Sequence, residues 1–527
     1  MKRRGLSPTT RTYQTLFTGF SRVEHWPTHP TQLNHAHQLY DYFLKHLQAV
    51  KYHAPDSDEL SISPLAKYIK ILGDAGDFQR IFDVYYTMDS DGPLSPNRDI
   101  FTAIFQVLSV RRYADGDEGA IFHNQNGSTA KLLWMQMEKA SKKSPGFAVD
   151  SHLIAMAIRA LSRGRPADQE LALDIVRDHL GLIRPGETPI KLANTELSVH
   201  TLAAVLESCN DMQKPKFCVH YLQQIMHPPS ASTHNIRSRA HIIDRGHIEQ
   251  ALKAYTMLAQ SAIPGQSIQA VETLEWMLRS EITRSNANLR PRVMTFNLVL
   301  SACRAQADWS GAMRTFDLMS GFKSGDFADM QVLKRKPVMD TRSRGRNLSP
   351  DAEVMSSMVR TALATHVPAN IRQSLRMVDY FGVDELLSPR RISVDKSPQP
   401  KKIAKLEAFF HTKLALALEE AVDSLTRMKI GSETQINEMP RWRHLKTRAR
   451  SYLGNERGNQ TPRVNAANTW SDKKRVVMDQ NDLPNLVPQP SQTSPEGRLV
   501  SPVEHGFQQE RLPQQHVYGK AVARSSF

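Results

Sequence analysis

Cysteine is scarce in this sequence. Its 527 residues include only Cys209, Cys218 and Cys303, which lack the close paired spacing of a zinc site. Three thiols are also too few for the disulfide framework of a small secreted domain. We therefore expect free structural thiols, buried in the protein, and a reducing compartment.

Long apolar runs are missing as well. No stretch approaches the roughly 18 to 20 uninterrupted apolar residues that a membrane-spanning helix needs, so no membrane span is expected. The N-terminal sequence MKRRGLSPTTRTYQ has basic residues but no apolar segment behind them. A secretory signal peptide is therefore not visible.

The sequence motifs of catalysis are absent too. There is no Gly-rich phosphate loop, no His-Glu-x-x-His pair and no nucleophile elbow around a serine. His25, His29, His35 and His37 cluster in a segment that we predict to be a loop, without further ligands at a suitable spacing for a metal. We therefore expect no metal, no cofactor, no small-molecule substrate and no enzymatic activity.

Positive charge is what the sequence has in excess. Lys and Arg number 68 against 53 for Asp and Glu, which gives a formal charge of +15 and a pI near 9.6. This balance favours an acidic polymer or an anionic surface as the partner. The length excludes one small domain and suits either about three domains or a long array of small repeats.

Apolar residues recur three and four positions apart from Ser63 to about Met257, which predicts helix after helix. Residues 62–97 predict a helix from about Pro64 to Leu72, a turn at Gly76 and a second helix from about Phe78 to Met88. Residues 293–319 repeat this plan. Further copies begin at Arg98, Ser151 and Ala352, and weaker ones lie at residues 196–226 and 242–258. The fold class is therefore all-α, built from helical hairpins.

These copies resemble the pentatricopeptide repeat family, five of them fairly and two weakly. The segment Val293-Met294-Thr295-Phe296-Asn297 is similar to the opening of its repeat, and Pro350-Asp351 to its close, whereas the Trp and Gly-Tyr of the tetratricopeptide unit are lacking. The resemblance implies an α-solenoid of helix-turn-helix repeats over residues 1–382. It also implies an organellar, most often mitochondrial, RNA-binding protein. Because Met1 falls inside a repeat, we expect the chain to be truncated at its N-terminus.

Three insertions interrupt the predicted array, at residues 114–128, 185–195 and 321–347. After residue 382 we expect a linker and one amphipathic helix, residues 383–430, that caps the array. Residues 431–527 are basic and polar, which predicts a disordered tail. At its start, Trp442 is interleaved with arginines from Arg441 to Arg450, a pattern that suits RNA but is also typical of a solvated basic tail.

In the family that these repeats resemble, an RNA base is read by the fifth residue of a unit together with its last. Transferred to this sequence, the reading pairs are Thr102 with Asp150 and Asn297 with Asp351; Asn97 closes a unit whose fifth residue is Ala66. Gln14 and Ser356 occupy fifth positions without an assigned partner. The resemblance implies guanine for Thr with Asp and uracil for Asn with Asp. The alternative is that these residues simply form helix caps and turns.

The resemblance, together with the basic charge, implies a non-catalytic RNA-binding protein that acts in mitochondrial RNA processing, stability or translation. Its partner would be single-stranded or structured organellar RNA. The alternative is a protein-interaction scaffold, including a component or assembly factor of the mitochondrial ribosome, that uses the same surface.

Overall fold

The computed structural model describes ten ranges of the chain. They are residues 7–110, 117–143, 147–187, 195–226, 239–284, 286–329, 337–340, 347–388, 400–428 and 433–459. Within these ranges the fold is all-α, as predicted, and the only β-type pairing is one isolated bridge between Phe322 and Met339. The helices are α1 (Thr10–Phe20), α2 (Pro30–His53), α3 (Ser63–Ala75), α4 (Phe78–Tyr86), α5 (Arg98–Val110), α6 (Asp117–Lys143), α7 (Ser151–Leu161), α8 (Pro166–Leu180), α9 (Val199–Asp211), α10 (Pro215–Met226), α11 (Arg245–Gln260), α12 (Gln266–Arg284), α13 (Val293–Ala305), α14 (Trp309–Ser320), α15 (Ala352–Ala364), α16 (Pro368–Phe381), α17 (Val383–Leu387), α18 (Pro400–Arg427) and α19 (Glu433–Asn459).

The helices pack as consecutive hairpins. Each odd-numbered helix from α1 to α15 contacts the helix that follows it, and successive odd-numbered helices from α1 to α15 also contact one another. Helix α18 then packs on α15, as expected of a helix that covers the last hairpin. The result is a repeat-like helical architecture in which the first helices of the hairpins form a continuous row.

The first helices are the most deeply buried part of the fold because they have neighbours on three sides. In α7, eight of the eleven residues are buried, and α5 buries eight of thirteen. Each fully buried large aliphatic or aromatic side chain stabilises the fold by about 1.5–3 kcal/mol. At the α3–α5 contact the helices approach so closely that a Cβ on Gly73 would collide with Val107, so this position requires glycine.

Five of the hairpins, α3/α4, α9/α10, α11/α12, α13/α14 and α15/α16, share one backbone feature: a residue in the left-handed conformation within two residues of the end of the first helix. In four of these hairpins the amide of the residue directly after the left-handed one donates a hydrogen bond to a carbonyl in the last turn of the first helix, as when Asp308 N donates to Cys303 O at 2.9 Å. This is the Schellman arrangement of a helix C-terminus. The left-handed residues are Gly76 (φ 84°), Gln213 (57°), Ala262 (57°), Ala307 (51°) and His366 (54°). Only one of these five is a glycine.

The insertion predicted as a loop at residues 114–128 is largely helical, because α6 already begins at Asp117. Gly127 explains why this polar segment is held as helix: its backbone lies directly against Gly164, and a Cβ on either residue would clash. Tertiary packing therefore overrides the weak local helix propensity of the segment. The insertions at 185–195 and 321–347 fall between helices, and their residues 188–194, 330–336 and 341–346 lie outside the described ranges.

The start of the predicted tail is also helical. Helix α18 spans the predicted amphipathic helix, but residues 433–459 then form α19 and pack against it. Trp442, Leu445 and Ala449 supply the buried side of α19; their spacing of three and four is that of a single helix face. The prediction of disorder failed here because the apolar residues of this segment are few and are spread among many charged and polar ones. Residues 460–527 lie outside the described part of the chain.

Two helices that the periodicity did not indicate are α2 and α12. His35 and His37 lie within α2 and not in a loop, and His37 Nδ1 is 2.8 Å from the hydroxyl of Tyr68. Among the described residues, no group of His, Cys, Asp and Glu could hold a metal ion. None of the described helices is both long and apolar enough to cross a membrane.

Candidate nucleic-acid interface

The seven residues chosen from the sequence lie in, or directly before, the first helices of hairpins. Gln14 is in α1, Thr102 in α5, Asn297 in α13 and Ser356 in α15. The other three, Asn97, Asp150 and Asp351, directly precede α5, α7 and α15. The structure therefore places all seven along the row of first helices, near their N-terminal ends.

Asn97, Asp150 and Asp351 are helix caps. Their side-chain oxygens accept backbone hydrogen bonds from Ile100 N at 3.1 Å, Leu153 N at 2.9 Å and Val354 N at 3.0 Å, respectively. Such a bond satisfies one of the amides left free in the first turn of a helix and stabilises it by about 1 kcal/mol. The capping role that the sequence left open is thus present at all three positions.

Thr102 and Asp150 are connected through Arg98. Thr102 Oγ1 donates a hydrogen bond to Arg98 O at 2.8 Å, and Arg98 Nη1 lies 3.4 Å from Asp150 Oδ2. This ion pair ties the beginning of α5 to the beginning of α7. A surface groove of about 980 Å³ opens beside it, lined by Asn97, Arg98 and the rings of Tyr86 and Phe147.

Asn297 differs from the other candidates. Its side chain is 4% exposed, yet neither Oδ1 nor Nδ2 has a hydrogen-bond partner, and both atoms are shielded from solvent. A buried polar group left unsatisfied in this way costs about 1–3 kcal/mol. Helix α13 packs against α15, whose cap is Asp351, so the predicted uracil-reading pair lies on adjacent helices.

The remaining candidates have simpler surroundings. Gln14 is exposed, whereas Ser356 is buried. Ala155, at the corresponding position of α7, is fully buried, so this hairpin offers a base no polar side chain at the fifth position. The polar side chains at the row of first helices are therefore unevenly distributed from one hairpin to the next.

Sequence inspection missed a set of ion pairs that connect α7 and the turn after it to α9; we call this set the charge ladder. It consists of Arg159 with Glu207 (3.1 Å) and Arg163 with Asp211 (3.5 Å). Arg163 also donates to Ser109 O of α5 at 2.6 Å. Burial raises the pKa of Asp211, while Arg163 opposes that shift. The two arginines are thus neutralised by adjacent carboxylates and do not form an open basic strip.

A second set of lateral contacts joins the beginnings of α9, α11 and α13. His247 is fully buried: its Nδ1 accepts from Asp244 N at 3.0 Å and its Nε2 donates to Val199 O at 2.9 Å. Burial lowers the pKa of His247, although Asp244 opposes the shift. Thr295 Oγ1 donates to Glu249 Oε1 at 2.7 Å. These polar contacts fix the register of neighbouring first helices.

The three cysteines are buried and free, as expected. Burial raises the pKa of the Cys209 thiol to about 12, and it raises the pKa values of Cys218 and Cys303 as well. Thiols of this kind are inert because the thiolate is the reactive form. They act as small apolar side chains in the packing of the hairpins.

Helix α19 changes the interpretation of the basic C-terminal segment. Trp442 is 1% exposed, so its ring is not accessible for stacking on an RNA base. Arg441 and Arg443, on either side of it in the sequence, are exposed. The arginines of this segment are therefore presented on a helix whose aromatic residue is part of the core.

Comparison with known proteins leaves the family open. No protein-family model matches the chain, and no curated protein is significantly similar to it in sequence.

Proposed function

We propose that this chain is an RNA-binding α-solenoid of pentatricopeptide type that acts without catalysis in organellar RNA processing, stability or translation. The proposal is supported by the consecutive hairpins, by the turn geometry that five of them share and by the alignment of the candidate reading residues along the first helices. In this scheme single-stranded RNA lies along the row of first helices, and individual bases contact polar side chains near the helix N-termini.

The observation that carries the proposal is the unsatisfied amide of Asn297. An asparagine presents one acceptor and two donors, which match the donors and acceptors of a base edge. Since both amide atoms are shielded from solvent, binding requires the side chain to turn toward the surface. The cost of leaving the amide unpaired in the free protein is then recovered when a base supplies the missing hydrogen bonds.

The test measures RNA selectivity at a single nucleotide. Wild-type protein and the variant Asn297→Ala/Asp351→Ala are titrated, by fluorescence anisotropy, with short RNAs that differ at one position. We expect the wild type to prefer one base, uracil by the resemblance. The variant should lose about fivefold in selectivity for each base hydrogen bond removed, because one such bond contributes about 1 kcal/mol.

A matched control separates recognition from helix capping. Asp308 caps the second helix α14 through Gly311 N at 2.9 Å, so Asp308→Ala removes a comparable cap away from the first helices. This control should lower stability to a similar extent and leave base preference unchanged. If the wild type binds no RNA, or if the double variant keeps the wild-type preference at every position, the proposed function is wrong.

The charge ladder favours a second candidate, a protein-interaction scaffold such as a component or assembly factor of the mitochondrial ribosome. Carboxylates already compensate Arg159 and Arg163, so this part of the row offers little net positive charge to a phosphate backbone. A protein partner with alternating charges suits such a surface better. Weak RNA binding, together with recovery of one stable protein complex from organelles, would favour the scaffold.

The mitochondrial location belongs to the same proposal and rests on the family resemblance and the basic pI. Fractionation of cells that express the tagged full-length protein tests it directly. Recovery of the protein outside organelles would reject the location while leaving RNA binding open.

A further inference from the structure

Four arginines of α19 stand in two rows, one on each flank of the buried side of the helix. Arg441 and Arg448 are seven residues apart, as are Arg443 and Arg450, so each pair lies on one side of the helix, two turns and about 10 Å apart. The buried residues Trp442, Leu445 and Ala449 run between the rows and face the protein. There is no Asp or Glu between Glu438 and Glu456. Helix α19 is therefore a rigid support for four guanidinium groups.

Each row contains one open and one partly neutralised arginine. Arg448 pairs with Asp384 of α17 at 2.6 Å, and Arg450 pairs with Glu419 of α18 at 2.7 Å. Arg441 and Arg443 are exposed, and the structure shows no carboxylate partner for them among the described residues. Both ion pairs lie at the surface, where such pairs contribute little to stability and exchange readily for other anions.

The helix is held in place from its other side. Arg376 of α16 binds Glu438 through two hydrogen bonds of 2.7 Å, and Lys446 pairs with Asp423 of α18. Arg376 is 8% exposed, so this anchor is a buried one. The arginine rows are thus presented by a fixed element of the fold.

We propose that the two arginine rows of α19 bind the phosphate backbone of RNA without base preference, as contacts separate from the row of first helices. The inference rests on the proposed function for the identity of the polyanion. Arginine suits phosphate because its planar fork donates two parallel hydrogen bonds. Since Trp442 is buried, α19 supplies charge and not stacking, so its contribution is independent of sequence.

The same geometry argues against an anionic membrane as the partner. A helix that binds a lipid surface needs an apolar side to insert beneath its basic one. In α19 the apolar residues are already covered by the protein, and none of the large exposed hydrophobic side chains of the described residues belongs to α19. An extended polyanion, which needs only charge and hydrogen-bond donors, fits this surface.

The experiment compares two variants of opposite effect in the full-length protein. In Arg441→Gln/Arg443→Gln the two open guanidiniums are removed. In Asp384→Asn/Glu419→Gln the carboxylates that neutralise Arg448 and Arg450 are removed instead. Binding to labelled 20-nucleotide oligo(U) and oligo(A) is measured from 50 to 400 mM KCl, with thermal unfolding as the check on folding.

Counterion release sets the expected size of the effect. For single strands each phosphate contact contributes about 0.7 to the slope of log K against log salt. Loss of two contacts should therefore reduce the slope by about 1.4 and the affinity at 0.1 M salt by about 25-fold, equally for both RNAs. The carboxylate variant should bind both RNAs more tightly, with a steeper salt dependence.

A charge-matched control is Lys45→Gln/Lys216→Gln, which removes two exposed cations from α2 and α10. It should have much less effect on the slope than the α19 variant. If the wild type binds RNA but the α19 variants keep its slope, or match this control, the inference about α19 fails while the proposed function stands. If the wild type binds no RNA, both fail. The inference would also be overturned if the α19 variant lost binding to phosphatidylserine vesicles or to an acidic protein while its RNA binding stayed intact.

Discussion

Replacing Asn297 by leucine should make the protein more stable and less selective at the same time. The substitution removes a buried amide whose two polar atoms have no hydrogen-bond partner. This removes a destabilising contribution of about 2 kcal/mol. The somewhat larger leucine side chain must fit among the packed neighbours of α13, which offsets about 1 kcal/mol of this gain in stability. The expected net gain is about 1 kcal/mol, which for a chain of this size raises the unfolding midpoint by roughly 1–2 °C.

The assay combines thermal unfolding with RNA titration on the same samples. Asn97→Ala is the matched control, because this asparagine makes its capping hydrogen bond to Ile100 N. We expect the control to lose about 1 kcal/mol of stability, opposite in sign to Asn297→Leu. A marked loss of stability in Asn297→Leu would show that the amide is satisfied in solution, and the argument from an unpaired group would then be refuted.

Three further predictions concern the framework. Ala307→Gly should stabilise the protein by about 0.5–1 kcal/mol, because the relief of left-handed backbone strain exceeds the entropic cost of glycine. Gly76→Ala should destabilise the protein by a similar amount. Urea unfolding measures both effects. Arg376→Met should cost about 3 kcal/mol, since it leaves Glu438 poorly compensated, and should make α19 sensitive to trypsin. Lowering the pH through about 6.5 should destabilise the wild type, because burial lowers the pKa of His247 in the folded state and the unfolded state therefore binds the proton more readily. His247→Gln should reduce this pH dependence of stability.

Each of these predictions has its own contrary result. A destabilised Ala307→Gly would mean that the left-handed turn carries no strain. Arg376→Met is paired with Arg376→Met/Glu438→Met, which should recover most of the lost stability; failure to recover would assign the loss to packing. For the pH dependence, the exposed His35 serves as the control. If His35→Gln reduces the pH dependence of stability as much as His247→Gln does, the effect does not come from the burial of His247.

The periodic part of the fold could be predicted from the sequence because hairpins of this kind are local. Residues 293–319 predicted α13 and α14, and the copies at Arg98, Ser151 and Ala352 coincide with the first residues of α5, α7 and α15. The charge ladder could also have been predicted, because Arg159 and Arg163 are four residues apart and so are Glu207 and Asp211, one hairpin later in the sequence. This complementary spacing is a signal that sequence inspection overlooked.

Other features depend on contacts between distant residues. Helix α19 has few apolar residues, and its anchor pairs Arg376 with a glutamate 62 positions away, which no local pattern reveals. The unsatisfied state of Asn297 is likewise a property of its surroundings and not of its own segment. The sequence could suggest Asn297 as a reading residue through a resemblance, but only the packing of α13 shows that its amide lacks a partner.

The anchor of α19 has a practical consequence for work with shortened versions of the protein. A fragment that ends at residue 382, where the repeated pattern stops, would lack the helices that cover the last hairpin. It would also leave the buried guanidinium of Arg376 without Glu438. The sensible place to cut lies beyond Asn459. A recombinant fragment that ends there should remain soluble, whereas the shorter one should aggregate during purification.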